Sequence, residues 1–161
     1  MGVAGRRGIL AVRTREVRWG VGGGAPVMVR VPGGGGAHTK EYVASATGAQ
    51  KSGFSLGGGQ AAEEVRLILG HSTYLSLLGL HSHIGSQIYD TSGFEVAARR
   101  VLGLHVEVAL EHGIQLAELD LGGGFGIAYT TQNDPSSPLV LAQGMAQIVE
   151  REGRAEGVPV P

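Results

Sequence analysis

The sequence has no cysteine, so this chain forms no disulfide, no zinc–thiolate site and no thiol nucleophile of its own. Aromatic residues are scarce at 5%, and the only lysines are Lys40 and Lys51. Neither sign of charge dominates: Lys and Arg total 13 against 14 Asp and Glu, a formal net charge of −1. That balance gives no electrostatic case for nucleic acid or a membrane surface as a partner. No apolar run approaches the ~18 residues of a membrane span, and the N-terminus lacks the apolar core of a secretory signal. A cytoplasmic location is therefore expected. A length of 161 residues suits one domain with a real core and is too short for two.

Glycine is abundant instead, at 29 residues. Many lie in runs, at 22–24, 33–36, 57–59 and 122–124, which mark loops rather than a collagen-like period. Residues 1–24 carry Arg6, Arg7, Arg13, Arg15 and Arg18 with Glu16 as the sole acid. This segment is expected to be a poorly ordered N-terminus, although basic, acid-poor composition is also that of a transit peptide.

Beyond it, strands are predicted at 27–31, 51–56, 77–83 and 118–121. Ala61, Val65, Ile68 and Leu69 recur at helical spacing and stop at Gly70. Ser92 followed by Glu95 reads as a capping box opening a second helix, whose apolar face is Phe94, Ala97, Ala98, Val101, Leu104 and Val108. Residues 133–138 read as a loop, and 139–151 as a last helix with Leu141, Met145, Ile148 and Val149 on one face. Alternation of strands and helices predicts an α/β fold with a parallel sheet. Periodicity fits a doubly wound sheet and half of an eight-fold barrel equally.

Two strand ends carry candidate chemistry. Leu78-Gly79-Leu80-His81-Ser82-His83-Ile84-Gly85-Ser86-Gln87 runs from an apolar strand into a polar, glycine-loosened turn. Leu119-Asp120-Leu121-Gly122-Gly123-Gly124-Phe125-Gly126 repeats that plan. In open α/β sheets and barrels, such strand ends are where ligands bind. Consecutive glycines leave backbone N–H groups unshielded, so an anion can approach closely. A dinucleotide fingerprint fails because Ile127 replaces the third glycine counted from Gly122, and no P-loop lysine is near. His81 and His83 share one face of a strand, because side chains alternate. They could form a metal pair, as in barrel hydrolases, lie against a planar cofactor ring, or serve as satisfied core histidines. Ser86 offers a hydroxyl to a phosphate oxygen or is simply a turn residue.

Taken together, Gly79–Ile88 and Leu119–Ile127 resemble the diaminopimelate decarboxylases, members of the alanine-racemase-like, fold-type III pyridoxal-phosphate decarboxylases. His38–Val43 and Gln50–Leu56 look like the same family's preceding segment, and the likeness covers roughly residues 26 to 160. It implies a partial (β/α)8 TIM barrel of about four βα units over 25–161, holding pyridoxal 5′-phosphate at the C-terminal strand ends. By this resemblance His83 would stack on the pyridine ring. Ser86 would bond the phosphate, and Gly122, Gly123 and Gly124 would offer it backbone N–H groups. Arg30 would support the site from below. Gln87 favours the diaminopimelate branch. The resemblance further implies an amino-acid substrate, meso-diaminopimelate converted to L-lysine and CO2, and a homodimer for the full-length family member.

The chain also departs from that pattern. The family's Schiff-base lysine is expected in a Tyr-Ala-x-Lys context upstream of the matched segments, whereas Lys40 follows His-Thr and Lys51 follows Ala-Gln. Glu152-Gly153-Arg154 superficially resembles the Glu-Pro-Gly-Arg motif that pairs with the ring nitrogen, but lacks the proline and reads as a helix end. The expectation is a fragment, inactive alone and without catalytic residues of its own. The alternatives are a non-catalytic pyridoxal-phosphate- or phosphate-binding barrel and, remotely, a metal-dependent hydrolase using His81 and His83.

Overall fold

The structure is a computed structural model that describes residues 9–10, 24–33, 53–86, 88–126, 128 and 135–161. The elements run β1 (Ile9–Leu10), β2 (Ala25–Pro32), α1 (Gln60–Gly70), β3 (Leu75–His83), α2 (Ser92–His112), β4 (Glu118–Asp120) and α3 (Pro138–Glu156). The strands form one sheet in the order β1-β2-β3-β4. β2, β3 and β4 are parallel, and the short β1 pairs antiparallel with β2. The succession β2-α1-β3-α2-β4 is therefore two consecutive βαβ units, as the alternation predicted. Apart from Ile9, Leu10 and Gly24, the N-terminal 24 residues lie outside the described ones. So do His38–Val43, Gln87 and residues 133–134 of the loop before α3.

One strand expectation fails. Lys51 and Ser52 lie outside the described residues, residues 53–55 are irregular, and 56–59 form a turn. β2 is already flanked by β1 and β3, and among the described residues this segment makes one backbone bond to it, from the Phe54 N–H to the Arg30 carbonyl at 2.9 Å. Phe54 and Leu56 pack against the core from a loop. Their apolar character suggested a strand because burial alone does not distinguish the two.

A register shift organises the sheet. Ala25 pairs with Leu75 and Val27 with Leu77, but Met28 pairs with Gly79, so Leu78 is passed over. The Leu78 carbonyl instead accepts the Ala117 N–H at 3.0 Å. An extra residue in one strand exchanges its two faces. Before the bulge, the odd-numbered Leu75 and Leu77 pack on the core. After it, Leu80 does so, alongside Val27, Val29 and Val31 of β2. His81 and His83 are thereby turned to the opposite face.

All three helices contribute to one buried cluster on the apolar face. Ala61, Val65 and Ile68 come from α1, Phe94, Ala98, Val101, Leu104 and Val108 from α2, and Ile148 from α3. Helices gathered on one face fit a barrel segment, whereas a doubly wound sheet carries helices on both. The fold is α/β, a partial barrel.

The start of α2 differs from the capping-box expectation. Thr91 is the cap residue and makes no side-chain cap bond. Ser92 is already helical, and its N–H and hydroxyl both donate to Asp90 Oδ1, at 2.8 and 2.6 Å. These bonds hold the Asp90 carboxyl below its ordinary value. Glu95 does not reach back to the cap. It pairs with Arg99 at 3.4 Å and with Arg151 of α3 at 3.0 Å.

The same cluster ties α2 to α3. Glu152, nearly buried, accepts from Arg99 Nε at 2.9 Å and from Arg151 at 3.0 Å. The Arg99 bond, with Arg151 assisting, holds the Glu152 carboxyl below the usual range. Glu152-Gly153-Arg154 lies within α3, as the sequence reading held, and its acid serves this interhelical clamp.

His105 is buried on α2, and burial lowers its pKa from the ordinary 6.5. The unfolded chain then takes up a proton that the folded chain refuses, so this residue lowers stability as pH falls through about 6.5. Below the depressed folded value its contribution levels off. We expect urea midpoints of the unsubstituted chain to fall more between about pH 7.5 and pH 5.5 than those of His105→Leu. Equal falls in the two proteins would contradict this.

Candidate cofactor site

The sheet face away from the helices carries a polar row. In register, Arg30 of β2 lies beside His81 of β3, and His81 beside Asp120 of β4. One step along, Pro32 lies beside His83. Side chains directly opposite on neighbouring strands project from the same face, so Arg30, His81, His83 and Asp120 all belong to one side. His81 is buried at 8% exposure. Its Nδ1 lies 3.0 Å from Asp120 Oδ2 but is not aligned as a hydrogen bond, and that nitrogen has no hydrogen-bond partner. The Nε of Arg30 is likewise buried without one. Polar atoms buried in this state are costly in a purely structural face and point to a ligand or water.

The two strand ends meet. Gly122 has φ +78°, and a Cβ placed there would lie 2.6 Å from the Ser82 carbonyl oxygen and 3.0 Å from His83 Nδ1. Gly124 has φ +93°, and its Cβ would overlap the Gly85 carbonyl and come within 3.3 Å of the Ser86 Cα. Both the left-handed backbone and the close approach require glycine at these positions. The loops are stitched further on by the Ile88 N–H to the Gly124 carbonyl at 3.0 Å and the Gly126 N–H to the Ile88 carbonyl at 2.8 Å. A Cβ at Gly85 or Gly123, by contrast, would meet nothing within 4 Å. Bare backbone at these two glycines therefore has room beside it.

Of the residues expected at a cofactor, His83, Gly122 and Gly124 are thus neighbours, Ser86 adjoins Gly124, and Gly123 lies at the open centre of the turn. Arg30 stands on the same face, across from His81. Sequence reasoning missed Asp120. Its Oδ1 accepts the Gly122 N–H at 2.7 Å, the bond of an aspartate to an amide two residues on, and Asp-x-Gly was the available signal. It also treated all three glycine amides as open donors, whereas the Gly122 N–H is committed to Asp120. Among the described residues no group of three or more His, Cys, Asp or Glu is arranged to hold a metal ion. The metal-pair reading of His81 and His83 therefore finds no third ligand there.

The description that matches this chain is "Pyridoxal-dependent decarboxylase, pyridoxal binding domain", over residues 14–157. The chain belongs to this family. The match begins ahead of Pro26, where the resemblance read from the sequence starts. Curated relatives include the diaminopimelate decarboxylases of Mycobacterium tuberculosis, 45% identical over 139 residues, and of Corynebacterium efficiens, 43% identical over 136. Each comparison covers 84% of this chain but only 31% and 29% of the relative. Among solved structures, diaminopimelate decarboxylase from M. jannaschii superposes with a TM-score of 0.69 at 27% identity, covering 86% of this chain and 31% of that one. The Helicobacter pylori diaminopimelate decarboxylase complexed with L-lysine gives 0.57 at 25%, covering 79% and 31%. The chain spans about three tenths of the length of the relatives it matches. Membership makes pyridoxal phosphate the implied cofactor, and the open, bare-backbone turn beside buried unpartnered donors fits a phosphorylated aromatic ring.

If the loop contact is obligatory, Gly124→Ala combines a left-handed alanine with a backbone collision. We expect it to cost at least about 1 kcal/mol of unfolding free energy, read by urea denaturation, whereas Gly123→Ala costs less because its Cβ has room. Equal costs would show that the loops do not pack as described.

Proposed function

We propose that residues 25–161 are the cofactor-holding part of a diaminopimelate decarboxylase barrel, binding pyridoxal 5′-phosphate between the β3 and β4 ends. In the whole enzyme the reaction is decarboxylation of meso-diaminopimelate to L-lysine and CO2, in the cytoplasm and by a homodimer. The observation that supports this reading is the approach of Gly122 to His83 and of Gly124 to Gly85 and the Ser86 Cα, which brings the two strand ends against each other.

The bound cofactor supplies the electron sink that accepts the pair released as CO2 leaves the α-carbon. This chain's residues would hold and orient it. His83 would pack against the ring, the Ser86 hydroxyl would donate to the phosphate, and the Gly123 and Gly124 amides would complete an anion-binding turn. Arg30, beside His81 on the same face, would supply positive charge to the site. With Lys40 and Lys51 both outside a Tyr-Ala-x-Lys context, the covalent anchor is not assigned to this chain. The same observation keeps a second reading in play: a non-catalytic protein that binds the phosphorylated ring and stops there.

Calorimetric titration of the chain with pyridoxal 5′-phosphate and with pyridoxal tests the proposal. The phosphorylated form is expected to bind at least about tenfold tighter, one charge-assisted hydrogen bond or more. Ser86→Ala is expected to remove about tenfold of that advantage, and the chain alone to release no CO2 from meso-diaminopimelate. Equal affinity for the two aldehydes would overturn the phosphate assignment, and turnover by the chain alone would overturn its division of labour.

A further inference from the structure

We infer that Asp120 is a positioning residue that locks the glycine turn onto β3, and that the Gly122 amide is a structural donor and not a ligand donor. The inference rests on the cofactor reading above for its consequence, though not for its geometry. Asp120 ends β4 and uses its two carboxylate oxygens in two directions. Oδ1 accepts the Gly122 N–H at 2.7 Å, while Oδ2 stands 3.0 Å from Nδ1 of the buried His81. An amide bonded to a carboxylate points its hydrogen at that oxygen and cannot also serve a phosphate. The turn therefore presents the amides of Gly123 and Gly124 alone.

The second link concerns His83. Gly122 sits so close to β3 that a side chain at 122 would collide with the Ser82 carbonyl and crowd His83 Nδ1. Whatever fixes Gly122 thus fixes the wall against which His83 rests. Asp120 holds that wall through its bond to Gly122 and lies beside His81 in the row, with Arg30 on the far side of His81. A carboxylate this near an anion site is unfavourable by itself. Its Oδ2 stands 3.0 Å from His81 Nδ1, and Arg30 lies two strands away in the same row.

Two measurements on the full chain test this. In the unsubstituted protein, the 1H–15N signal of Gly122 is expected to be protected from solvent exchange, at least about tenfold more than in Asp120→Ala. A Gly122 signal that exchanges equally fast in both proteins would overturn the inference whether or not any cofactor binds. In titrations, Asp120→Ala is expected to weaken pyridoxal 5′-phosphate about tenfold, on the order of one charge-assisted hydrogen bond, and to leave pyridoxal within about twofold. Asp120→Asn retains a carbonyl oxygen for Gly122 and is expected to recover most of the loss. An unchanged ratio between the two aldehydes in Asp120→Ala, or no recovery in the folded Asp120→Asn, would contradict the positioning role. Failure of the unsubstituted chain to bind either aldehyde would sink the cofactor reading alone, and the Gly122 signal would still decide the role of Asp120.

Discussion

Backbone packed on backbone, with no side chain between, is the constraint on which this structure depends. Gly122 rests on Ser82 and His83, and Gly124 on Gly85 and Ser86. A Cβ at 122 would collide with the Ser82 carbonyl and one at 124 with the Gly85 carbonyl, and both glycines use a left-handed conformation that other residues adopt at a cost. The contact joins the ends of two adjacent parallel strands into one surface. Without it, the imidazole of His83 and the amides of the glycine turn would be features of separate loops.

The rest of the molecule holds those ends in place. A one-residue bulge passing over Leu78 sends Leu80 to the helices and His81 and His83 to the other face. The apolar cluster around Phe94, Val29 and Leu80 fixes the sheet from behind. The Glu152 clamp joins α2 to α3 at the periphery, where the arginines are largely exposed. Each contact pairs an exposed guanidinium with a buried carboxylate, so removing the arginines would leave a buried charge uncompensated. Hydrophobic burial dominates one face, where Ser82 Oγ is also buried without a hydrogen-bond partner, and an incompletely paired polar row lies on the other.

Much of this was legible in the residues themselves. Helical spacing placed α1, α2 and α3 to within a few positions, because each buries a continuous stripe. The two strand ends stood out because histidine, serine and glycine runs interrupt apolar segments. What escaped detection depended on partners distant in sequence. The 51–56 segment looks like a strand until β2 is seen to have neighbours on both sides. Ser92 looks like a cap until Asp90 takes its N–H. The bulge at Leu78 leaves no local mark, since Leu77 and Leu78 are equally apolar and only pairing with Val27 and Met28 decides which faces the core. Asp120 was overlooked because a lone aspartate before a turn is common, and its importance comes from His81 on the next strand. The family likeness supplied roles that periodicity could not, and the backbone contacts set Gly122 against His83 and Gly124 against Gly85 and Ser86.

The central claim is that one phosphorylated ring touches both strand ends at once. Following the 1H–15N spectrum of the chain during addition of pyridoxal 5′-phosphate tests it most directly. The account predicts that the amide signals of Ser86, Gly123 and Gly124 shift together along one binding curve, accompanied by ring-current shifts of the His83 imidazole. Shifts confined to one of the two loops, or perturbation of the glycine turn without any response from His83, would contradict it.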